Sequence, residues 1–391
     1  MIASRHLVIG NAPERVILDL PAAEAIVAEA KRVGARRVVL AASRSLGAET
    51  DEIAQVTAAL GDRMAALLPP IRAHAPKSDL AAATQVALDA DADLIVAIGG
   101  SSIMDGAKIV ALAHAHRAVT PEALDALRVQ YNAQGQIVRA PAKGPDLRLV
   151  CVPTTLSGGE FNTLSGAYDE TLGQKHGFQH PGMMPMAAVL DPLIARHTPE
   201  RLWLATGVRA VDHAVETLVS PYSNAYYDGL AAAGLSLLVD ALPRLKADPA
   251  DRAARFASQV GAWQAAVPLV GGVPMGASHA IGHALGAFGI AHGETSCVMA
   301  ASVQRWNAEE SCPAQRRIAR IFGDETAPLD DLLHTFIGAL GLPRSLGEIG
   351  IDRQVYPRLA ELTLADIWGG TNARPLRNAH DVMAILRLAE R

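Results

Sequence analysis

Along the first half of the chain, apolar positions switch repeatedly between helical spacing and short continuous runs. The segment PAAEAIVAEAKRVGA at 21–35 has helical periodicity and ends near a glycine, and RRVVLAAS at 36–43 follows as a buried strand. A second helical stretch covers about 50–67. A third, KSDLAAATQVALDADA at 77–92, runs into the strand DLIVAIGG at 93–100. Then come a helix at 103–116 (IMDGAKIVALAHAH), a strand at 147–155 (LRLVCVPTT) and a last strand in MAAVLDP at 186–192. Strands alternating with helices predict a parallel sheet with helices on both faces. Between 117 and 146 the alternation lapses into a polar, proline-containing excursion, read as a short helix and hairpin. From about 198 onward only helical spacing and turns remain. The predicted organisation is an α/β domain over 1–194 and an all-helical domain over 195–391, with a ligand in the cleft between them.

Composition narrows the function classes. The chain has 391 residues, half of them hydrophobic and 19% charged, which suits two folded cores and excludes disorder. A net charge of −5 with no Lys/Arg run argues against a nucleic-acid partner. The N-terminus, MIASRHLVIGNAPERV, lacks the apolar core of a secretory signal, and no stretch reaches membrane-span length. A cytoplasmic location without a membrane partner is expected. Cys151, Cys297 and Cys312 show no CxxC spacing and read as reduced thiols.

Four stretches carry candidate chemistry. In LIVAIGGSSIMDGAK (94–108), Gly99 and Gly100 allow close backbone approach, Ser101 and Ser102 add hydroxyls, and a helix N-terminus follows. Together these make a phosphate seat, although Ser102 and Asp105 also have the spacing of a capping box. VPTTLSGGE (152–160) repeats that chemistry at the next strand end with Thr154 and Thr155. TGVRAVDHAVE (206–216) places His213 one helical turn after Arg209. GASHAIGHALGAFGIAHGE (276–294) sets His279 and His283 on one helical face, with His292 beyond them. By spacing alone these histidines are either a metal clamp or packed and solvated side chains.

The motifs together resemble the group III, iron-containing alcohol dehydrogenases over essentially the whole chain. The family's GGGSxxDxAK is matched by GGSSIMDGAK at 99–108, with Ser101 for the third glycine. Its PTTxGTGSE is matched by PTTLSGGE at 153–160, and its ATGxDALxHAxE by ATGVRAVDHAVE at 205–216. HAIGHALGAFGIAHG at 279–293, VLDP at 189–192 and NARP at 372–375 complete the likeness. The resemblance implies a Rossmann-like dinucleotide-binding domain followed by a helical domain, on the plan also seen in dehydroquinate synthase. It further implies hydride transfer with NAD or NADP, a small-molecule substrate and a homodimer. By the motif match, Gly99, Gly100, Ser101, Ser102, Asp105, Thr154, Thr155 and Lys175 would contact the cofactor. Ser43 stands where NAD-preferring relatives carry an acid, and Arg44 follows, which admits a 2′-phosphate.

One position departs from the pattern. Metal-dependent members bind iron or zinc through one aspartate and three histidines. The histidines match His213, His279 and His292, but the aspartate position is Arg209. Arginine cannot ligate a cation and repels one. Asp212 is a poor substitute, because neighbouring helical residues point about 100° apart and it would face away from His213. Maleylacetate reductases, a related branch, are similar in lacking the acidic ligand and reduce an unsaturated oxo-diacid without metal. On that resemblance Arg209 would pair with a substrate carboxylate, His213 and His279 would orient it, and His283 would donate a proton. The competing reading of Arg209 is a helix-surface salt bridge with Asp212 or Glu216. Competing functions are a metal-dependent alcohol dehydrogenase with rearranged ligands, a lyase that uses NAD transiently, and a non-catalytic binding protein.

Overall fold

The computed structural model describes residues 13–131, 137–139, 141 and 143–390. Residues 1–12 of the N-terminal stretch read for a signal lie outside them, as do 132–136, 140 and 142 of the excursion. The strands are β1 (Arg15–Leu18), β2 (Val38–Ala42), β3 (Met64–Leu67), β4 (Leu94–Gly99) and β5 (Gln130–Tyr131), then β6 (Ile137–Arg139), β7 (Arg148–Pro153), β8 (Leu164–Asp169), β9 (Gln174–Gln179) and β10 (Ala187–Leu190). Six of them form one sheet in the order β1-β10-β7-β4-β2-β3, and every pairing in it is parallel.

Burial on both faces explains why β4 reads as a continuous apolar run. Leu94 through Ile98 are fully buried. Ile95 and Ala97 face a core built with helices Lys77–Asp89 and Ser101–His116. Leu94, Val96 and Ile98 face the opposite core with helices Ala22–Arg32 and Glu52–Leu60. This is the doubly covered parallel sheet expected from the alternation.

The helix expected over about 50–67 is corrected. It stops at Leu60, where Gly61 takes a φ of 54°, and Met64–Leu67 becomes the edge strand β3 on β2. MAAL has little β propensity, so pairing overrides local preference there. Two further elements carried no sequence signal. One is β1, and the other is the antiparallel hairpin β8–β9, whose residues Tyr168 and Lys175 face each other. The excursion contains the helix Pro121–Asp125 and the antiparallel pair β5–β6, as its composition suggested.

From Pro192 onward the described residues contain helices and turns only. Their packing forms two cores, around Trp203 and Leu235 and around Ile281 and Leu386. Two hydrogen bonds stitch the loop after β7 to this helical half. Thr198 donates to the Thr154 carbonyl at 2.6 Å, and the Leu156 N–H donates to Thr206 Oγ1 at 3.2 Å. Helix Glu200–Val219 is thereby held against the strand ends.

Candidate active site

Three strand ends meet on one edge of the sheet. The Ser43 N–H after β2 donates to the Ile98 carbonyl of β4 at 2.9 Å, and the Thr154 N–H after β7 donates to the Gly99 carbonyl at 2.8 Å. Gly99 has a φ of +155°, and a Cβ there would meet Ile103 Cγ1 at 2.8 Å, so this turn requires glycine. A Cβ on Gly100 would lie 3.2 Å from Thr155 Cγ2. Helix Ser101–His116 starts immediately beyond with no side-chain cap, so its positive dipole end faces the cradle.

The capping-box reading is overturned. The helix begins at Ser101, so Ser102 is already inside it. Its hydroxyl instead accepts the His74 N–H at 3.0 Å, anchoring a loop in which His74 and Ala75 both have positive φ. The Asp105 carboxylate lies 3.5 Å from Lys108 Nζ and 3.9 Å from Lys175 Nζ. Lys175 therefore reaches the cradle from β9, with its side chain lying over Gly166. Lys108, which sequence reasoning passed over, is fully buried and donates to the carbonyls of Gly159 and Leu164 at 2.9 and 2.6 Å. It pins the helix that opens the cradle to the loop beyond β7.

A second group of side chains comes from helices Glu200–Val219 and Ala277–Gly286. The first turn of the shorter helix is capped from outside by Glu216. This carboxylate accepts the Gly276 N–H at 2.9 Å and the Ser278 N–H at 2.8 Å, and lies 2.7 Å from His279 Nδ1. Asp212, one turn earlier, accepts the Ser278 hydroxyl at 2.7 Å and lies 3.5 Å from His279 Nδ1. His213 stacks on His279 with centroids 4.7 Å apart and ring planes 23° apart. Arg209 is half-buried, with Nη1 3.5 Å from the Ser296 hydroxyl. His283 places Nδ1 2.9 Å from an Asp366 carboxylate oxygen and lies against Trp368.

The structure thus gathers Arg209, His213, His279 and His283, and adds Asp212, Glu216, Asp366 and Trp368. His292 opens the helix His292–Ile321, but its side chain lies outside the described residues. No contact joins Asp212 to His213, but Asp212 does meet a histidine from another helix, since His279 Nδ1 lies 3.5 Å from Asp212 and 2.7 Å from Glu216. Asp212 and Glu216 are buried rather than on a helix surface, and both attract the Arg209 guanidinium.

Burial dominates the electrostatics. It pushes the Glu216 carboxyl up to about 7, against the lowering pull of backbone donors and Arg209, and it pushes the Asp212 carboxyl well above the usual carboxylate range, where the facing Glu216 raises it further. Burial also holds His213 and His279 well below the usual imidazole value, and the Arg209 guanidinium reinforces this. Both rings are therefore neutral at pH 7. Burial lowers Arg209 as well, yet a guanidinium keeps its charge.

The donor set suits a metal poorly as arranged. Asp212, Glu216 and His279 bring ligand atoms within 4.8 Å of one another, but Glu216 already accepts two backbone N–H donors. A nearby arginine adds repulsion. By contrast, the glycine cradle, the uncapped helix end and Lys175 fit a dinucleotide diphosphate.

Comparison with known proteins agrees with this geometry. Residues 13–192 match the iron-containing alcohol dehydrogenase family, and residues 203–389 match the C-terminal region of the Fe-containing alcohol dehydrogenase family. Dehydrogenase ALT3 of Alternaria alternata is 33% identical over 392 residues, spanning 91% of this chain and 100% of the relative. Maleylacetate reductase 1 of Cupriavidus pinatubonensis is 29% identical over 366 residues, spanning 93% and 92%. The crystal structure of maleylacetate reductase from Agrobacterium tumefaciens matches with a TM-score of 0.82 at 23% identity, covering 99% and 98% of the two chains, which speaks to the fold. This chain belongs to the iron-containing alcohol dehydrogenase family of oxidoreductases.

Proposed function

We propose that the chain is an NAD(P)H-dependent reductase of the maleylacetate reductase type, acting on a carboxylated carbonyl or conjugated oxo-acid without a catalytic metal. The observation that carries this reading is the fixed cation of Arg209 beside two neutral imidazoles, His213 and His279, where the family's aspartate ligand is absent. NAD(P)H, when bound, supplies the hydride. Gly99, Gly100, Ser101 and the helix end hold its diphosphate, with Ser102 bracing the cradle. Thr154, Thr155, Asp105 and Lys175 flank the nicotinamide side, and Ser43 meets the adenosine ribose. Arg209 pairs with a substrate carboxylate and stabilises the negative charge that develops on oxygen as hydride arrives at carbon. His213 and His279 orient the substrate, and His283 delivers the proton. We assign residues 1–194 to the dinucleotide-binding domain and 195–391 to the helical domain, and propose a cytoplasmic homodimer.

A second reading, a metal-dependent alcohol dehydrogenase with rearranged ligands, draws on one observation. His279 Nε2 is buried without a hydrogen-bond partner, beside the Asp212–Glu216 pair. Steady-state kinetics on matched carboxylated and uncharged carbonyl substrates separate the two. The first reading requires that Arg209→Ala raise KM only for the acids. Equal effects on both substrate types, or none, refute it.

A further inference from the structure

The C-terminal segment beyond helix Tyr356–Ala365 carries a device that neither its composition nor its motifs announced. Asp366 places one carboxylate oxygen 2.9 Å from His283 Nδ1 and the other 2.9 Å from the Trp368 N–H. Trp368 then lies along the His283 ring, with centroids 4.9 Å apart and planes at 30°. Its edge also meets His279 at 5.8 Å and 81°. The turn is anchored on the helix that carries both histidines. Thr371 donates its hydroxyl to the Met275 carbonyl, and Asn372 accepts the Ala277 N–H at 3.1 Å. His283 is consequently gripped on one edge by a carboxylate and on one face by an indole. The His283 side chain remains one-third exposed, whereas that of Asp366 is 15% exposed.

We propose that Asp366 is a positioning residue for His283, with Trp368 fixing the ring plane. The inference rests on the proton-donor reading of His283 given above. In the imidazolium both ring nitrogens carry protons. The carboxylate accepts from Nδ1–H, so the proton that leaves is the one on Nε2. As hydride adds to the carbonyl or conjugated carbon, the electron pair moves onto the substrate oxygen. The Nε2–H bond breaks, an O–H bond forms, and neutral His283 is left as its Nδ1–H tautomer, still held by Asp366. Solvent at the exposed part of the ring restores the proton.

Two measurements on the full-length protein test this. Ring-nitrogen NMR of 15N-histidine-labelled protein, recorded at a pH where the ring is neutral and with His283 assigned by the loss of its signals in His283→Gln, is expected to show the Nδ1–H tautomer. Asp366→Ala is expected to shift His283 toward Nε2–H. In kinetics, Asp366→Asn, which keeps an acceptor for the Trp368 N–H, is expected to lower kcat by about 100-fold. Its KM for the dinucleotide should stay within twofold of the starting protein. An Nε2–H tautomer in the unaltered protein overturns the proposal, as does an Asp366→Asn variant that changes KM but not kcat. Full activity in His283→Gln would instead refute the proton-donor reading, while the tautomer measurement would still report on the Asp366 contact.

Discussion

Two clusters in this molecule are built from the same parts, a pair of carboxylates and a histidine, and differ in where their positive charge sits. In the first, Asp125, Asp169 and His176 surround the buried Lys77, whose ammonium lies 2.7 Å from Asp169 and also contacts Asp125. That contact is the main reason the Asp169 carboxyl is held down to about 2. In the second, Asp212, Glu216 and His279 have no lysine among them in the described residues. Their charge partners are backbone and hydroxyl donors, and Arg209 stands at the rim. Burial then wins, and both carboxyls rise. An inserted ammonium turns such a trio into a structural tie. Without one, burial decides and both acids sit above their usual range.

Substitutions should separate the clusters cleanly. The largest effect is expected from Arg209→Ala, which raises KM for carboxylated substrates on the order of 100-fold by removing a charge-assisted pair. Its urea midpoint should hardly move. Lys77→Met should behave in reverse, with a thermal midpoint lower by several degrees and unchanged kinetic constants, because it strips a tie between two helices and a hairpin.

Stability against pH sharpens the same contrast. Asp169 is depressed from 3.8 to about 2, so its contribution is full above pH 4 and is lost as pH falls through 2. Asp169→Asn should remove that acid loss. Glu216 is raised from 4.5 to about 7, so the fold keeps a proton there that the unfolded chain has released. Stability therefore declines as pH rises from 4.5 to 7, and Glu216→Gln should flatten this slope in urea titrations. The smallest effect is expected at the cradle, away from both clusters. Ser43→Asp should shift the ratio of NADH to NADPH use toward NADH, read as kcat/KM for each dinucleotide.

Much of the fold was legible in advance. β4 and its following helix announce themselves through an apolar run, two glycines and a change of period. β3 did not, because MAAL reads as helix until β2 pairs with it. The hairpin β8–β9 was hidden in a polar, glycine-containing stretch. Of the site, Arg209, His213, His279 and His283 were legible from motif and spacing. Asp366 and Trp368 were not, since they sit far along the chain in a turn without periodicity. Glu216 offered a clue in its spacing of one turn from Asp212, but its capping of another helix is a tertiary fact. The meeting of Asp212 with His279 was not legible, because helical angles describe one helix and cannot tell which residues of another will reach it.

If a guanidinium has taken the place of the catalytic ion, elemental analysis of the purified protein, paired with reductase activity before and after chelation, should find far less than one iron or zinc per chain and activity unchanged by chelation. One metal per chain, with activity lost on chelation and restored by iron or zinc, would contradict that reading.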